Sequence, residues 1–507
     1  MRKRHIITTF SASDLPTFDT ELSGIVKEHR SGFSKSFKAD KSLFDNYQRQ
    51  LIQSSDSEWR EEIEFSLHVP VISWLLALGV KHQLGRLDKR NLFPFWHPPT
   101  QIDAETIRTI WTLIGISFLN SYYATLLGQL LTFIAREFHS STASQGLVLG
   151  ASRFDIVPAL ILLSLADRIG RTKVILFSTA MGAIFSTLGA FAPNLYFLAG
   201  DQVITKAFAT AAILLIAIVS SEKVPSMARA WSLAALVIGS ALGAGAAAVM
   251  LPLAGISAGS WRILFAVSIL AIFAIRPFSK YLRESRRFEI LASKADRKVE
   301  TGSAKKNRNA LILLSLATLL LNIFYIPASQ FRNEFLSHDR GFSATSISIF
   351  TLVTATPGAI GLAVSGRLSE TRGRRIVTAA ALVIGTGGLM LAFLSHGTAI
   401  WIWALLGSLV APATIPSLGV YLTELFPTKF RGTANGIIGI WARLGSILGV
   451  VAVGYLGSTV YNQVGTPLAL MGIGPLLLAL LVIVKFPETK GLKLETLNPE
   501  DSAYHED

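Results

Sequence analysis

Cysteine is absent from this chain. Its absence removes disulfide frameworks, thiol nucleophiles and cysteine metal sites. Charge is also scarce: Asp, Glu, Lys and Arg make up 16% of the 507 residues, against about a quarter in soluble domains. Motifs for nucleotide or hydrolytic chemistry are missing too. There is no G-x-x-x-x-G-K-[ST], no H-E-x-x-H and no G-x-S-x-G, so ATP-driven pumping and metalloprotease or serine-hydrolase chemistry have no footing. GSALGAG, 239–245, has the look of a phosphate-binding loop, but no strand precedes it and its flanks are apolar. Small residues three or four apart that let two helices approach closely are the better account. No catalytic constellation, metal set or cofactor motif emerges, and the chain is expected not to be an enzyme.

What is present is apolar sequence in long blocks, 51% of the residues being hydrophobic. Such an excess needs lipid as its solvent. Twelve runs near 109–134, 143–165, 173–192, 195–219, 230–252, 261–280, 310–332, 343–366, 376–395, 398–422, 433–460 and 466–485 are each long enough to span a hydrocarbon core, which takes about 20 residues. Between the sixth and seventh lies a long polar insert, RESRRFEILASKADRKVETGSAKKNR. The expected organisation is a six-helix half at 108–282, a basic linker at 283–309, a second six-helix half at 310–486 and a tail at 487–507.

Residues 1–107 are polar, charged and fairly rich in Ser and Lys. They read as a cytoplasmic extension, partly disordered. The start, MRKRHIITTFSASD, is basic, but its apolar run is too short for a signal-peptide core. One apolar piece, SLHVPVISWLLALGV at 66–80, would reach only roughly 22 Å as a helix, against a hydrocarbon core of about 30 Å. An interfacial or protein-docked helix is expected there; a thirteenth span would invert everything downstream.

The net charge of +14 sits between apolar blocks rather than on one face, which sets nucleic acid aside as a partner. With the N-terminus inside, the inner connections carry Arg168, Arg171, Lys173, Lys223, Arg229, the linker, Arg367, Arg372, Arg374, Arg375, Lys429 and Arg431. The outer ones hold Arg136, Arg262, Arg332 and Arg340. Basic residues concentrate on the cytoplasmic side of membrane proteins. The expected fold is therefore an all-α membrane protein with 12 transmembrane helices in two pseudo-symmetric halves, both termini cytoplasmic, in a plasma membrane and more specifically a bacterial inner membrane.

The halves repeat one another. Asp167, Gly170 and Arg171 in SLADRIGRTKV match Glu370, Gly373 and Arg374 in GRLSETRGRRIV at an offset of 203. Glu222, Pro225 and Arg229 match Glu424, Pro427 and Arg431 at 202, and GSALG at 239–243 matches GSILG at 445–449 at 206. Internal duplication of this kind is typical of secondary transporters.

Two six-helix halves with D-R-x-G-R after the second span resemble the major facilitator superfamily, whose loop there reads G-x-x-x-D-R-x-G-R-R. The first copy has Asp167, Arg168, Gly170 and Arg171, with Leu163 for the leading Gly and Thr172 for the last Arg. The second has Gly366, Glu370, Gly373, Arg374 and Arg375, with Thr371 for the first Arg. LRESRRFE at 282–289 is similar to the P-E-S-P-R element of sugar porters, and PETKGLKLE at 487–495 to their P-E-T-K-G. YLTELFPTKFRG, 421–432, is similar to their tenth-to-eleventh loop. The resemblance covers 105–495 and points to the sugar porter or metabolite:proton symporter branch without fixing a substrate.

The charged turns are expected to gate. Glycine permits the tight turn, and acids and bases beside it can pair with a neighbouring helix or with helix dipoles. Contacts made only while the cytoplasmic side is closed would bias the outward-open against the inward-open state; the resemblance implies the same role. Asp167, Arg168, Gly170, Arg171, Gly366, Glu370, Gly373, Arg374 and Arg375 form this set, with Glu222, Arg229, Glu424 and Arg431 as companion latches.

Ionisable residues inside spans are costly and ask for a function. Asp155, Lys206 and Arg443 each lie 12 residues from a span end, roughly 18 Å deep, near the midplane where transporter sites lie. Arg153 and Asp201 sit nearer the outside. Asp155 is the first candidate for the coupling proton, and Arg443 for clamping an anionic substrate. Permanent pairs, Asp155 with Arg153 or Asp201 with Lys206, are the structural alternatives. Pro158 should kink the second span. Tyr122, Tyr123, Phe324, Tyr325, Trp403 and Trp441 either stack on a ligand or serve packing and the interface belt.

The expected function is secondary active transport of a small organic metabolite, sugar-like or carboxylic, by alternating access and proton-coupled symport. The alternatives are a drug or metabolite:proton efflux antiporter and a non-transporting membrane sensor on the same fold. Substrate, protons and the bilayer are the expected partners, the chain acts as a monomer, and the proton gradient supplies energy with no cofactor and no metal.

Overall fold

The computed structural model describes residues 4–22, 26–31, 35–39, 44–55, 57–67, 73–86, 102–225, 228–282, 284, 308–426 and 428–489. Twelve helices in it are long and apolar enough to cross a membrane. Spans 1 to 6 are Ala104–Glu137, Thr142–Ala166, Arg171–Gly189, Leu195–Lys223, Trp231–Ala254 and Trp261–Tyr281. Spans 7 to 12 are Arg308–Gln330, Ala344–Leu362, Arg374–Leu394, Thr398–Leu422, Thr433–Thr459 and Gly465–Lys485. These are the twelve runs of the sequence, displaced by a few residues at their ends. Side chains cap several starts: Asp103, Ser141, Asn194 and Ser343 each accept a backbone N–H three residues on, satisfying donors a helix leaves open.

The duplication is visible in the packing. In span 5, a Cβ on Gly243 would fall 2.1 Å from the carbonyl oxygen of Phe118 in span 1. In span 11, a Cβ on Gly449 would fall 2.3 Å from that of Ile323 in span 7. The glycine pattern in GSALG and GSILG thus brings two backbones together, as small residues do between membrane helices.

We call the end of the bundle that carries Gly170 and Gly373 the turn end, and the opposite one the far end. One large core runs across both halves toward the far end, including Leu130 and Ile134 of span 1, Val450 and Val453 of span 11 and Leu468 of span 12. At the turn end the cores are separate among the described residues. Leu113, Val174, Leu215 and Leu282 belong to one, and Leu314, Leu382, Phe426 and Val482 to the other. The far end is closed by backbone approach and polar contacts. A Cβ on Gly146 of span 2 would lie 2.7 Å from Val450 O and 3.0 Å from the Cα of Gly454. The Asn333 amide donates to Gln129 O at 2.8 Å, and Ser348 to Ala248 O at 2.8 Å.

The N-terminal region departs from expectation. Residues Arg4–Ser11, Glu28–Arg30, Ser36–Ala39, Phe44–Gln53 and Glu58–Leu67 are strands β1 to β5. They form an antiparallel sheet in the order β1-β5-β4-β3-β2, which the reading of this region as a polar extension did not anticipate. Its signal was an alternation that composition hides: in β5, Ile63 and Phe65 are buried while Glu62 and Glu64 are not. Alternation with period two is what a half-buried strand needs. Beneath the sheet, Arg49 is 1% exposed and donates to Glu28, to Glu61 and to the carbonyls of Phe18 and Thr20. The Tyr47 phenol donates to Glu28 at 2.7 Å; burial, then the charge of Glu28, push its pKa well above the usual phenol value.

Only the later part of the apolar piece at 66–80 is a described helix, Ser73–Leu84; residues 68–72 lie outside the described residues. Val80 and Leu84 share a core with Phe44 and Phe65 of the sheet, Ile107 and Ile110 of span 1, and Val224 and Ala228 between spans 4 and 5. The helix is therefore docked on protein, and the sheet sits at the turn end. The linker at 283–309 and the tail at 487–507 lie mostly outside the described residues.

Candidate functional site

Span 2 is not a continuous α-helix. Its first part, Thr142–Ala151, passes into a 3-10 turn, Ser152–Asp155, before the helix resumes at Ile156. Pro158 supplies the local reason, since it has no N–H for Phe154 O and its ring crowds that carbonyl. The tight turn gathers Ser152, Arg153 and Asp155 near mid-membrane. Facing it, span 4 offers Lys206 and Thr210, one helical turn apart and so on one side.

Both Asp155 oxygens are engaged. Thr210 Oγ1 donates to Oδ2 at 2.7 Å and Arg443 Nη1 to Oδ1 at 2.6 Å. Arg443 belongs to span 11, so this ion pair joins the two halves. The Asp155 side chain is 5% exposed and that of Arg443 30%. Lys206 Nζ donates to the hydroxyl of Ser152 at 2.9 Å, which in turn donates to Leu149 O. Arg153 keeps Nε and Nη2 buried without a hydrogen-bond partner. Lys206 is within electrostatic reach of Arg153, Asp155 and Arg443.

Four of the five intramembrane candidates thus come together. The fifth, Asp201, does not: its Oδ2 takes the Gln202 amide at 3.1 Å and faces Gly189 of span 3. Neither alternative pair, Asp155 with Arg153 or Asp201 with Lys206, is formed. Helical depth in the sequence carried no information on which faces meet, so the crossing partner Arg443 was not legible. Ser152 and Thr210 were missed as well; the spacing of Thr210 four residues after Lys206 was the available signal. Of the aromatics, Tyr122 donates to Leu264 O, Tyr123 to Asn120 and Tyr325 shares a hydrogen bond with Thr386, and Phe324 is fully buried. These four pack and brace. Trp441 is 43% exposed.

At the turn end, Gly170 and Gly373 have φ of 110° and 101°, which only glycine adopts without strain. Each turn is held by a glutamate from the end of its own half. Glu284 accepts the N–H groups of Arg171 and Thr172 at 3.2 and 3.1 Å, and Glu488 those of Arg374 and Arg375 at 3.0 and 3.2 Å. A carboxylate at a helix N-terminus satisfies free donors and the positive end of the dipole. These are the acids of LRESRRFE and PETKGLKLE, whose partners the sequence did not reveal.

Arg171 pairs with Glu222 at the end of span 4, and Arg374 Nη1 donates to Thr489 Oγ1 at 2.7 Å. Both contacts stay within one half, and they exist while the two cores at this end are separate. Arg168 is exposed and Arg229 keeps its Nε buried without a hydrogen-bond partner. The side chains of Asp167, Glu370, Glu424 and Arg431, and the surroundings of Gly366, lie outside the described residues. Two outer arginines are structural clasps: Arg262 donates to Ala190 O and Ala192 O, and Arg340 to Ser395 O and Phe393 O.

Comparison with known proteins agrees with this architecture. The cis,cis-muconate transport protein of Acinetobacter baylyi is 27% identical over 227 residues, 42% of this chain and 53% of that protein. The chain therefore matches about half of that relative's length. The gentisate transporter of Corynebacterium glutamicum is 23% identical over 380 residues, 71% of this chain and 81% of that protein. Among solved structures, a bacterial homolog of the human lysosomal transporter Spinster, inward-facing and unoccupied, superposes with a TM-score of 0.65. It is 16% identical, with 75% of this chain and 96% of that chain covered. The likeness is one of fold. The family model for the Major Facilitator Superfamily matches residues 113–336 and 331–501, a family of transporters rather than enzymes. The chain is a multi-pass membrane protein and belongs to the Major Facilitator Superfamily.

Proposed function

We propose that this protein carries a small organic acid across the membrane by alternating access, coupled to protons, with Asp155 and Arg443 at the centre of the cycle. The ion pair between them carries the reading, because it joins the two halves at mid-membrane. A proton on Asp155 removes the charge that holds Arg443. The guanidinium then needs another anion, and a substrate carboxylate offers the same charge-assisted hydrogen bonding. Proton and substrate thereby favour one another, and the coupling is reciprocal. A neutral sugar would leave the released guanidinium uncompensated, so the carboxylic alternative is preferred. The names of the muconate and gentisate relatives, both organic acids, support this choice.

The turn end is read as cytoplasmic because the basic residues cluster there, which puts the sheet inside the cell and, by analogy with the bacterial relatives, the chain in an inner membrane. With separate cores at the turn end and a shared core at the far end, the arrangement is open toward the cytoplasm. The glutamate-capped turns then keep each half rigid as it moves, with the Arg171–Glu222 pair adding to this in the first half.

The test is substrate-driven proton flux in proteoliposomes with a trapped pH-sensitive dye, using gentisate and cis,cis-muconate as probes and protein-free liposomes as the leak baseline. Lumenal acidification on adding substrate, abolished in Asp155→Asn, is expected. Alkalinisation instead would make the protein an antiporter. Wild-type flux in Asp155→Asn would reduce Asp155 to a structural residue. Silence with every compound would leave a sensor on the same fold.

A further inference from the structure

The charge balance around Asp155 is uneven. Arg153, Lys206 and Arg443 act on one another and on this single carboxylate. Both oxygens of Asp155 are occupied, one by Arg443 and the other by Thr210. Lys206 has the neutral Ser152 hydroxyl as its hydrogen-bond partner, and the buried Nε and Nη2 of Arg153 have none. Asp201, the nearest acid along span 4, is turned to Gly189 and Gln202. Among the described residues, three cations therefore stand against one anion. Their depth lies where uncompensated charge is most expensive, and an unpaired buried charge is far costlier than a paired one.

A monocarboxylate does not relieve this. If it arrives with a proton on Asp155, one negative charge replaces another and a surplus of two remains. A second carboxylate on the same molecule lowers the surplus to one. The cations are also placed for two-point binding. Arg443 comes from span 11 in the second half, while Arg153 and Lys206 come from spans 2 and 4 in the first.

We infer that the organic acid taken by this site is a dicarboxylate, one carboxylate held by Arg443 and the other by Arg153 and Lys206. The inference rests on the organic-acid reading above and adds to it the charge of the substrate and the roles of Arg153 and Lys206 as specificity residues. A dianion held in this way bridges the two halves, so that the occupied site replaces the Asp155–Arg443 link as the tie between them.

The test compares matched probes in proteoliposomes: succinate and adipate against butyrate and hexanoate, with cis,cis-muconate against gentisate as the unsaturated pair. Radiolabel uptake is measured under an imposed proton gradient, in chloride and in gluconate buffers. The expected result is a preference for the dicarboxylate of at least about tenfold in kcat/KM, which corresponds to about 1.4 kcal/mol. Arg153→Gln and Lys206→Gln should each narrow that preference toward the monocarboxylate. Lys206→Arg, which keeps the charge, should hold it, and this variant together with the wild type carries the test if a glutamine variant fails to fold. Proton-driven uptake of monocarboxylates in preference to dicarboxylates would overturn the inference while leaving the organic-acid reading intact. So would monocarboxylate uptake that requires chloride, because the halide would then supply the second negative charge. Failure of every carboxylate would overturn both.

Discussion

The two halves solve the same problem at their turn ends with the same chemistry, yet they are not equivalent. Each has a glycine of positive φ and, from just beyond its last helix, a glutamate that caps the helix starting after that glycine, Glu284 on Arg171 and Thr172, Glu488 on Arg374 and Arg375. The first half also carries a folded sheet that shares a core with span 1 and the span 4 to 5 connection. The comparison separates two functions of charge. Capping by glutamate is common to both copies and organises the turn. The sheet is an addition that, among the described residues, packs on the turn end of the first half.

The largest effect is expected where that addition can be removed. In Arg49→Met the buried carboxylates of Glu28 and Glu61 lose the guanidinium between them, which costs about 3–5 kcal/mol when one side of a buried pair is deleted. Limited proteolysis should then cut within residues 4–67 while the second half stays protected. Equal protection throughout would mean that the sheet does not depend on this network.

Next in size is the helix approach common to both halves. Gly243→Ala and Gly449→Ala each place a methyl against a backbone carbonyl, an overpacking worth about 1–3 kcal/mol. Thermal unfolding in detergent should show falls of similar size. A fall in only one would show that the two copies no longer pack alike.

The turn glycines follow. Gly170→Ala and Gly373→Ala impose a side chain on a backbone region that costs about 1–3 kcal/mol, with part of the strain relieved as the glutamate side chain shifts. The smallest effect, about 1 kcal/mol, is expected for loss of a helix-capping carboxylate in Glu284→Ala and Glu488→Ala. Both variants should lower transport, because each turn loses the acceptor of two backbone N–H groups; unchanged transport in either would show that its turn holds without the cap.

Much of this was legible beforehand, for a physical reason. A span is defined by local hydropathy over about 20 residues, so the twelve runs fell within a few residues of the observed helices. The repeated glycines were read correctly as helix approach because their spacing is itself the contact. The sheet was obscured because Arg49 and Glu28 are buried charges, and composition treats charge as surface. Their burial depends on pairing among β2, β4 and β5, which no window along the chain contains.

The sequence by itself determined that Asp155, Lys206 and Arg443 lie well inside their spans, because rise per residue converts a count from the span end into distance along a helix. It also determined where the chain must turn, since glycine alone takes the required backbone. Only the tertiary structure decided that Asp155 bonds Arg443, 288 residues away, rather than Arg153 two residues before it. A pair is made by the faces two helices present to each other, and those faces are set by packing between halves that the order of residues does not encode locally.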